Sequence, residues 1–383
     1  MDAAAGGAGG GRVSGGPANG PTSGPVSSPA ARPAGGTVRS GRRPTLEQVA
    51  KVAGVSRATV SRVVNQVESV DPDIRGVVER AIAEIGYVPN RAARTLVTGR
   101  TGTVGLVVSE PRREPPQGGP LASHVYADPF FGRIVAGVLG ELGPRRMHPM
   151  LIHVDSAAAR TELLARLEQR DLDGVALVSV WPDDPLPGLL AASGAPAVLF
   201  TRAAQPAPVS YVDVAHGTGA ALAADHLHGR GCRRVVTVSG PGHLPAGQDR
   251  LTGFRAAMAR HGQPDVVSAE GGFTLAGGQQ AMARLLAEVP DLDGVFAGND
   301  LMAQGALLTL AEQGRRVPED VAVVGFDDSA VALACHPPLT TVRQPVEEMA
   351  AELARLLLGR IEDPGQEPTS VVFDPELILR ASA

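Results

Sequence analysis

Aromatic residues make up only 3% of this chain, with a single tryptophan, and lysine occurs once, as Lys51. A core must therefore be built from Ala, Val and Leu, which the 43% hydrophobic content allows. Cysteine is equally scarce. Cys232 and Cys335 stand far apart, which excludes a disulfide framework and a zinc-ligand pattern. No apolar run approaches the ~20 residues of a membrane span. No basic segment followed by an apolar stretch opens the chain, so no secretory leader is expected. The expected location is the cytoplasm, with no membrane partner and no cofactor. An excess of positive charge is missing too, since the net charge is −5. Its distribution is uneven, however. Residues 41–100 hold ten Lys/Arg and six Asp/Glu, whereas residues 101–383 hold 22 Arg and 33 Asp/Glu. A basic head on an acidic body is the asymmetry of a protein whose head alone meets phosphates.

Residues 1–41 are rich in Gly, Ala and Pro, with almost no large apolar side chain. They cannot bury enough surface to offset ordering entropy, and a disordered tail is expected. Pattern begins at Pro44, and residues 42–88 read as one domain. Thr45 followed three residues later by Gln48 is a capping-box start. Leu46, Val49, Ala50 and Ala53 then share a helical face, and Gly54 ends it. Ser56 can cap a second helix with the stripe Val60, Val63 and Val64. Asp71-Pro72 caps a third, with Ile74, Val77, Val78, Ala81, Ile82 and Ile85 facing inward and Gly86 closing it. Three short helices with a glycine turn between the first two make a helix-turn-helix unit. Residues 89–100 read as a hinge, because seven residues from Arg91 to Val97 are too few for a stable lone helix.

From residue 101 the period changes. Short apolar runs at 104–109, 150–154, 174–180, 197–200, 235–239, 295–297 and 321–326 alternate with helical patterns at 131–142, 161–168, 217–227, 253–261, 277–287, 303–312 and 346–358. Alternating strands and helices predict parallel sheets with right-handed crossovers. About 280 residues exceeds one such sheet, so two lobes are expected, with a ligand cleft beyond the carboxyl ends of the strands.

Four segments resemble the lactose-repressor/galactose-repressor family of bacterial regulators: Pro44 to Asn65; Gly86-Tyr-Val-Pro-Asn-Arg-Ala-Ala-Arg-Thr-Leu96; Gly298-Asn-Asp300 with Val321-Ala-Val-Val-Gly-Phe-Asp-Asp328; and Pro338-Leu-Thr-Thr-Val-Arg-Gln-Pro345. The resemblance implies a helical DNA-binding head on an α/β two-lobed sensor like a periplasmic binding protein. It implies a homodimer on near-palindromic double-stranded operator DNA, controlled by a small-molecule effector. A recognition helix presents its first residues to base edges, which places Arg57 and Ala58 there, with Arg57 able to pair bidentately with guanine. By resemblance Arg62 also reaches a base, while Thr45, Ser56, Thr59, Ser61 and Asn65 contact phosphate or support the helix. Lys51 is equally a phosphate contact or a solvated surface group. In the hinge, Leu96 occupies the family's minor-groove wedge position, with Asn90 and Ala93 beside it.

In the sensor, Arg250, Asn299 and Asp327 match the family's ligand-contacting residues, and Phe273 its stacking aromatic. An Arg, Asn and Asp set can bracket a sugar's vicinal hydroxyls. A carbohydrate effector is expected first, a nucleobase or nucleoside second. Other readings stay open for several residues. Phe130 serves the cleft or the core, Asp327 and Asp328 serve a ligand or else a solvated strand end or a helix cap, and Asp300 is expected to be a helix cap. Two departures stand out. An insert rich in Pro and Gly occupies residues 111–126. Thr201-Arg202 replaces the acidic or amide residue that precedes arginine in many relatives, which removes one expected sugar-hydroxyl partner. An extracytoplasmic solute-binding protein of the same shape would have a leader and no head. For an enzyme, the sequence offers no nucleophile–base pair and no phosphate loop.

Overall fold

The computed structural model describes residues 44–65, 69–88, 99–110 and 128–383. Contacts divide the chain into two compact units, the first ending at Val88 and the second beginning at Pro89.

In the first unit, Leu46–Ala53 (α1), Arg57–Val64 (α2) and Pro72–Ile85 (α3) form the three expected helices. Their boundaries follow from local chemistry. The Thr45 side chain accepts from the Gln48 amide while the Gln48 side chain accepts from the Thr45 amide, closing the capping box. Gly54 and Gly86 end α1 and α3 in the left-handed region, at φ 64° and 65°. Val49, Ala50, Val60, Val63, Val78 and Ala81 make the core. Tyr87, read as part of the hinge motif, is buried with them, whereas Ile74 is exposed.

The second unit contains two six-stranded sheets. The first lobe takes Thr103–Ser109 (β1), Pro129–Leu142 (α4), His148–Val154 (β2), Ala157–Glu168 (α5), Gly174–Val180 (β3), Leu186–Ser193 (α6), Ala197–Phe200 (β4) and Ser210–Val214 (β5). The chain then crosses to the second lobe with His216–Gly229 (α7), Val235–Ser239 (β6), Pro245–Arg260 (α8), Ser268–Glu270 (β7), Leu275–Glu288 (α9), Gly294–Ala297 (β8), Asp300–Glu312 (α10), Ala322–Asp327 (β9), Ala330–Ala334 (α11) and Thr340–Arg343 (β10). It returns with Val346–Glu362 (α12), which packs on α4, and Ser370–Phe373 (β11), and crosses a last time into Glu376–Ile378 (β12).

The sheet orders are β11-β5-β4-β3-β1-β2 and β12-β10-β9-β8-β6-β7. Every pairing is parallel except β10 with β12. The lobes are therefore joined by three crossings, near Ala215, Gln344–Pro345 and Asp374–Pro375. Interior strands such as β4, β6, β8 and β9 are buried on both faces, which explains their near-continuous apolar runs, whereas the edge strand β2 is largely exposed. Cys232 and Cys335 are both buried free thiols, and burial pushes each up to about 11, so neither is a reactive thiolate.

Candidate DNA-binding and effector sites

In the head, positions 57, 58, 61, 62 and 65 share the outward face of α2, while Val60 and Val63 point to the core. Arg57, Ala58 and Arg62 are exposed. Ser56 caps the helix, accepting from the Thr59 amide at 3.0 Å, and its hydroxyl lies 2.9 Å from that of Thr59. Thr45 serves α1 in the same way. Asn65 closes α2, and its amide donates to Ser61 Oγ at 3.3 Å. Ser56 and Thr59 thus hold each other, as do Ser61 and Asn65, leaving Arg57, Ala58 and Arg62 as the exposed surface. Arg57 Nε lies 3.1 Å from Glu47 Oε1, both largely exposed. The hinge positions Asn90, Ala93 and Leu96, and the 111–126 insert, lie outside the described residues.

In the sensor, Arg250 is the centre of a buried network. It sits on α8, one turn into a helix that begins at Pro245, so the cation lies near the carboxyl ends of the second sheet's strands. Its Nη1 donates to the Gly298 carbonyl at 2.5 Å and stands 3.5 Å from Asp327 Oδ1, and its Nε donates to His216 Nδ1 at 3.2 Å. Its guanidinium carbon lies 3.8 Å from the Phe326 ring centre and 5.6 Å from that of Phe273. Accepting at Nδ1 leaves His216 with its proton on Nε2, 3.2 Å from Asp213 Oδ1. Burial, and then the Arg250 cation, hold His216 below its ordinary value, so it stays neutral. Burial also works on Asp213, but His216 and the Arg202 and Val214 amides prevail and keep its carboxyl low. Asp327 is pushed well up, chiefly by burial, against the pull of Arg250; Gln344 Nε2 donates to it at 2.6 Å. Asp327 adopts φ 115°, a strained conformation of the kind found at ligand sites.

The structure brings Arg250, Asp327 and Phe273 together, but gives Asn299 and Phe130 prior duties. Asn299 caps α10, accepting from the Met302 amide at 2.8 Å, and donates to the Phe273 carbonyl at 3.2 Å. It thereby fixes the Phe273 turn, where φ is 59°. The Phe273 ring covers Gly240, where a Cβ would lie 2.3 Å from it, so only glycine fits. Phe130 packs edge-on against Phe200 at 5.6 Å, at the first lobe's core.

Asp300 is not the cap that the sequence suggested, since Asn299 holds that place. Its buried carboxylate accepts from Ser329 N and Oγ at 2.7 and 2.9 Å and from Thr341 Oγ1 at 2.6 Å, tying α10 to the neighbouring strands. Asp328 is not a solvated strand end either, because Arg343 and Arg380 both donate to it.

Several cross-lobe contacts escaped the sequence reading. Arg133, on α4 in the first lobe, forms a bidentate pair with Glu347 and donates to the Asp327 carbonyl at 2.8 Å. Arg202, the residue flagged as a departure, pairs with Asp249 of α8 at 2.5 and 2.9 Å. Beside that pair is a groove of about 480 Å³, lined by Tyr211, Asp213, His216 and Thr252 among others but by none of the five nominated sensor residues. Gln344 lay inside a quoted motif and could have been found there. His216 and Arg133 carried no signal beyond their residue type. Among the described residues no group of His, Cys, Asp and Glu is arranged to hold a metal ion, and no helix is long and apolar enough to cross a membrane.

Comparison with known proteins matches two parts of the chain. Residues 45–90 match the model for bacterial regulatory proteins of the lacI family, and residues 224–383 match a periplasmic binding protein-like domain. The HTH-type transcriptional regulator CelR of Thermobifida fusca is 45% identical over 345 residues, covering 89% of this chain and 98% of that protein. The ribose operon repressor of Escherichia coli (strain K12) is 31% identical over 343 residues, covering 88% and 99%. Among solved structures, a CelR–cellobiose complex matches with TM-score 0.67 and 43% identity over 89% of this chain and all of that one. The lac repressor dimer bound to operator and the anti-inducer ONPF matches with TM-score 0.72 and 27% identity, covering 89% and 99%. With a capped second helix that exposes Arg57, Ala58 and Arg62, a two-lobed α/β unit and these relatives along nearly its whole length, the chain belongs to the lacI family of bacterial regulatory proteins.

Proposed function

We propose that the chain is a cytoplasmic, homodimeric repressor whose grip on a near-palindromic operator is controlled by a neutral sugar bound between the sensor lobes. The observation that carries the effector class is the charge balance around Arg250. That one buried cation feels the charges of Asp327, Asp213, Asp128 and Asp300, and its Nε and Nη1 are already engaged by His216, the Gly298 carbonyl and Asp327. Among the described residues the other cations near it, Arg133 and Arg202, are each paired with a carboxylate, Glu347 and Asp249, which disfavours a phosphate or carboxylate on the ligand. A cleft of fixed acceptors with one guanidinium suits hydroxyls, which both donate and accept. The solved CelR–cellobiose complex makes a neutral disaccharide the first candidate.

In the head, Arg57 and Ala58 read base edges in the major groove and Arg62 reaches a further base. Thr45, Ser56, Thr59, Ser61 and Asn65 set the helix against the phosphates. Asn90, Ala93 and Leu96 engage the minor groove between half-sites. Arg250, Asp327 and Phe273 contact the effector; Asn299 and Phe130 shape its walls. Effector control can only equal the ligand's differential affinity for the two lobe arrangements. The contacts placed to sense those arrangements are Arg133 to Asp327 and Arg202 to Asp249. Release on sugar binding is the direction proposed.

Two substitutions test the docking. Arg57→Ala is expected to relax preference at one base position per half-site, at about 1–3 kcal/mol. Leu96→Ala is expected to reduce operator bending in a gel-phasing assay. Unchanged binding and bending in both variants would refute this mode of docking.

A further inference from the structure

The chain's only tryptophan, Trp181, follows the carboxyl end of β3, which lies between β1 and β4 in the first sheet. Its position is fixed by its backbone. The Trp181 amide donates to the Ser109 carbonyl at 3.0 Å, and the Asp184 amide donates to the Trp181 carbonyl at 3.0 Å. Ser109 Oγ in turn donates to Asp184 at 2.5 Å. Across the cleft stands His243, in the short connection from β6 to α8, at the matching end of the second sheet. That connection is held by the Gly242 amide donating to Glu270 Oε2 at 3.1 Å and by Gln248 Nε2 donating to the Gly242 carbonyl at 2.7 Å. The indole and imidazole centres are 4.7 Å apart, tilted by 42°.

Trp181 is half-buried and belongs to neither lobe's hydrophobic core. A large aromatic held rigidly at a strand end, meeting a side chain of the opposite lobe, is poorly explained by packing alone. Three residues before His243, Gly240 lies under the Phe273 ring, and that ring leads to Arg250. One side of the second lobe therefore runs from the buried guanidinium through Phe273 to His243, and Trp181 faces its outer end.

A pyranose ring presents polar hydroxyls around its edge and an apolar face of C–H groups. Arg250 and Asp327 suit the edge. We infer that Trp181 and His243 form the outer wall of the effector site: the sugar's C–H face stacks on the Trp181 indole, and the His243 imidazole hydrogen-bonds a hydroxyl of the same ring. This rests on the carbohydrate reading of the same cleft. It assigns the specificity for an extended, two-ring ligand to a pair of side chains drawn from both lobes.

Because Trp181 is the only indole, the full-length protein carries its own reporter. Cellobiose and a panel of neutral mono- and disaccharides are titrated while tryptophan emission is recorded. Calorimetry measures binding independently, and operator release measures the response. The expected result is a shift and change in intensity of the indole emission that saturates with the calorimetric Kd. Trp181→Ala should weaken sugar binding roughly tenfold or more, and Trp181→Phe by only a few-fold, since it keeps an aromatic face. His243→Ala should weaken it as well. Operator binding by Trp181→Phe shows that the chain is folded. If a sugar binds and releases operator while Trp181→Ala and His243→Ala keep the wild-type sugar Kd, the pair is only a lobe contact and the inference is wrong, with the carbohydrate reading intact. If no sugar gives heat or moves the operator equilibrium, the carbohydrate reading falls, and the inference with it.

Discussion

Replacing Arg250 with alanine should destabilise the sensor as well as abolish effector binding. Arg250 is 5% exposed, donates to the Gly298 carbonyl and His216, stands 3.5 Å from Asp327 and lies over the Phe326 ring. Its removal leaves Asp327, itself buried, with Gln344 as its remaining side-chain donor. Breaking a buried pair by deleting one partner costs about 3–5 kcal/mol, mostly because the other charge is left uncompensated. Asp327 has a way out, because burial already pushes its carboxyl well up and a captured proton removes the charge. The deficit should therefore sit near the lower end of that range, at about 3 kcal/mol. It should be smaller at pH 5 than at pH 8. Adding Asp327→Asn to Arg250→Ala should recover a substantial part, since no buried charge then remains. Thermal unfolding of the full chain at both pH values is the assay. At a few degrees per kcal/mol, the single variant should melt roughly 5–10 °C lower. A melting point within about 2 °C of wild type, or a deficit that ignores both pH and the second substitution, would refute the claim that Arg250 neutralises a buried carboxylate.

Two further outcomes follow from the same geometry. Glu47 holds Arg57 at 3.1 Å in the absence of DNA, so Glu47→Gln should free the arginine, remove a negative charge facing phosphates and tighten operator binding a few-fold, as measured by fluorescence anisotropy at fixed salt. Asp300 is pushed from its ordinary 3.8 to about 6, chiefly by burial, so between those values the native chain keeps a proton that the unfolded chain has released. The stability carried by the protonated form is full below about pH 4 and is lost as pH rises through 6. Asp300→Asn cannot ionise, and the wild-type advantage over it in urea unfolding should shrink as pH rises from 4 to 7. An advantage that grew over this window would contradict the assignment.

The head was legible because its boundaries are written in local chemistry. Thr45 with Gln48, Gly54, Ser56, Asp71-Pro72 and Gly86 each act within a few residues, and each helix starts or stops where they stand. The strands of the two sheet interiors were legible for a different reason: burial on both faces makes runs such as β3 and β6 mostly apolar, broken only by small hydroxyl residues such as Thr237 and Ser239. Elements serving the cleft were harder to see. Helix α8 begins at Pro245, eight residues before its apolar pattern starts, because its first turns carry Gln248, Asp249 and Arg250 toward polar partners. Strand β5 was missed because Tyr211 and Asp213 interrupt its apolar residues, and Asp213 is buried there to face His216. The short edge strands β7, β11 and β12 have too few residues to show any period.

At the site, the motifs brought Arg250, Asp327 and Phe273 to one place. Asn299 was read as a ligand contact, and its amide also holds two backbone groups, the Met302 amide and the Phe273 carbonyl. A sequence pattern cannot show which backbone groups a polar side chain also holds. Nor can it show pairs made between the lobes, such as Arg202 with Asp249, because those depend on how the two lobes meet.

The account's central claim is tested most directly by selecting bound DNA from a random pool with the purified full-length protein at stated salt, then titrating the selected site with neutral sugars. The account predicts a near-palindrome with a fixed central step, and loss of binding as cellobiose or another neutral disaccharide is added. A pool with no enriched sequence, with or without the sugars, would contradict it.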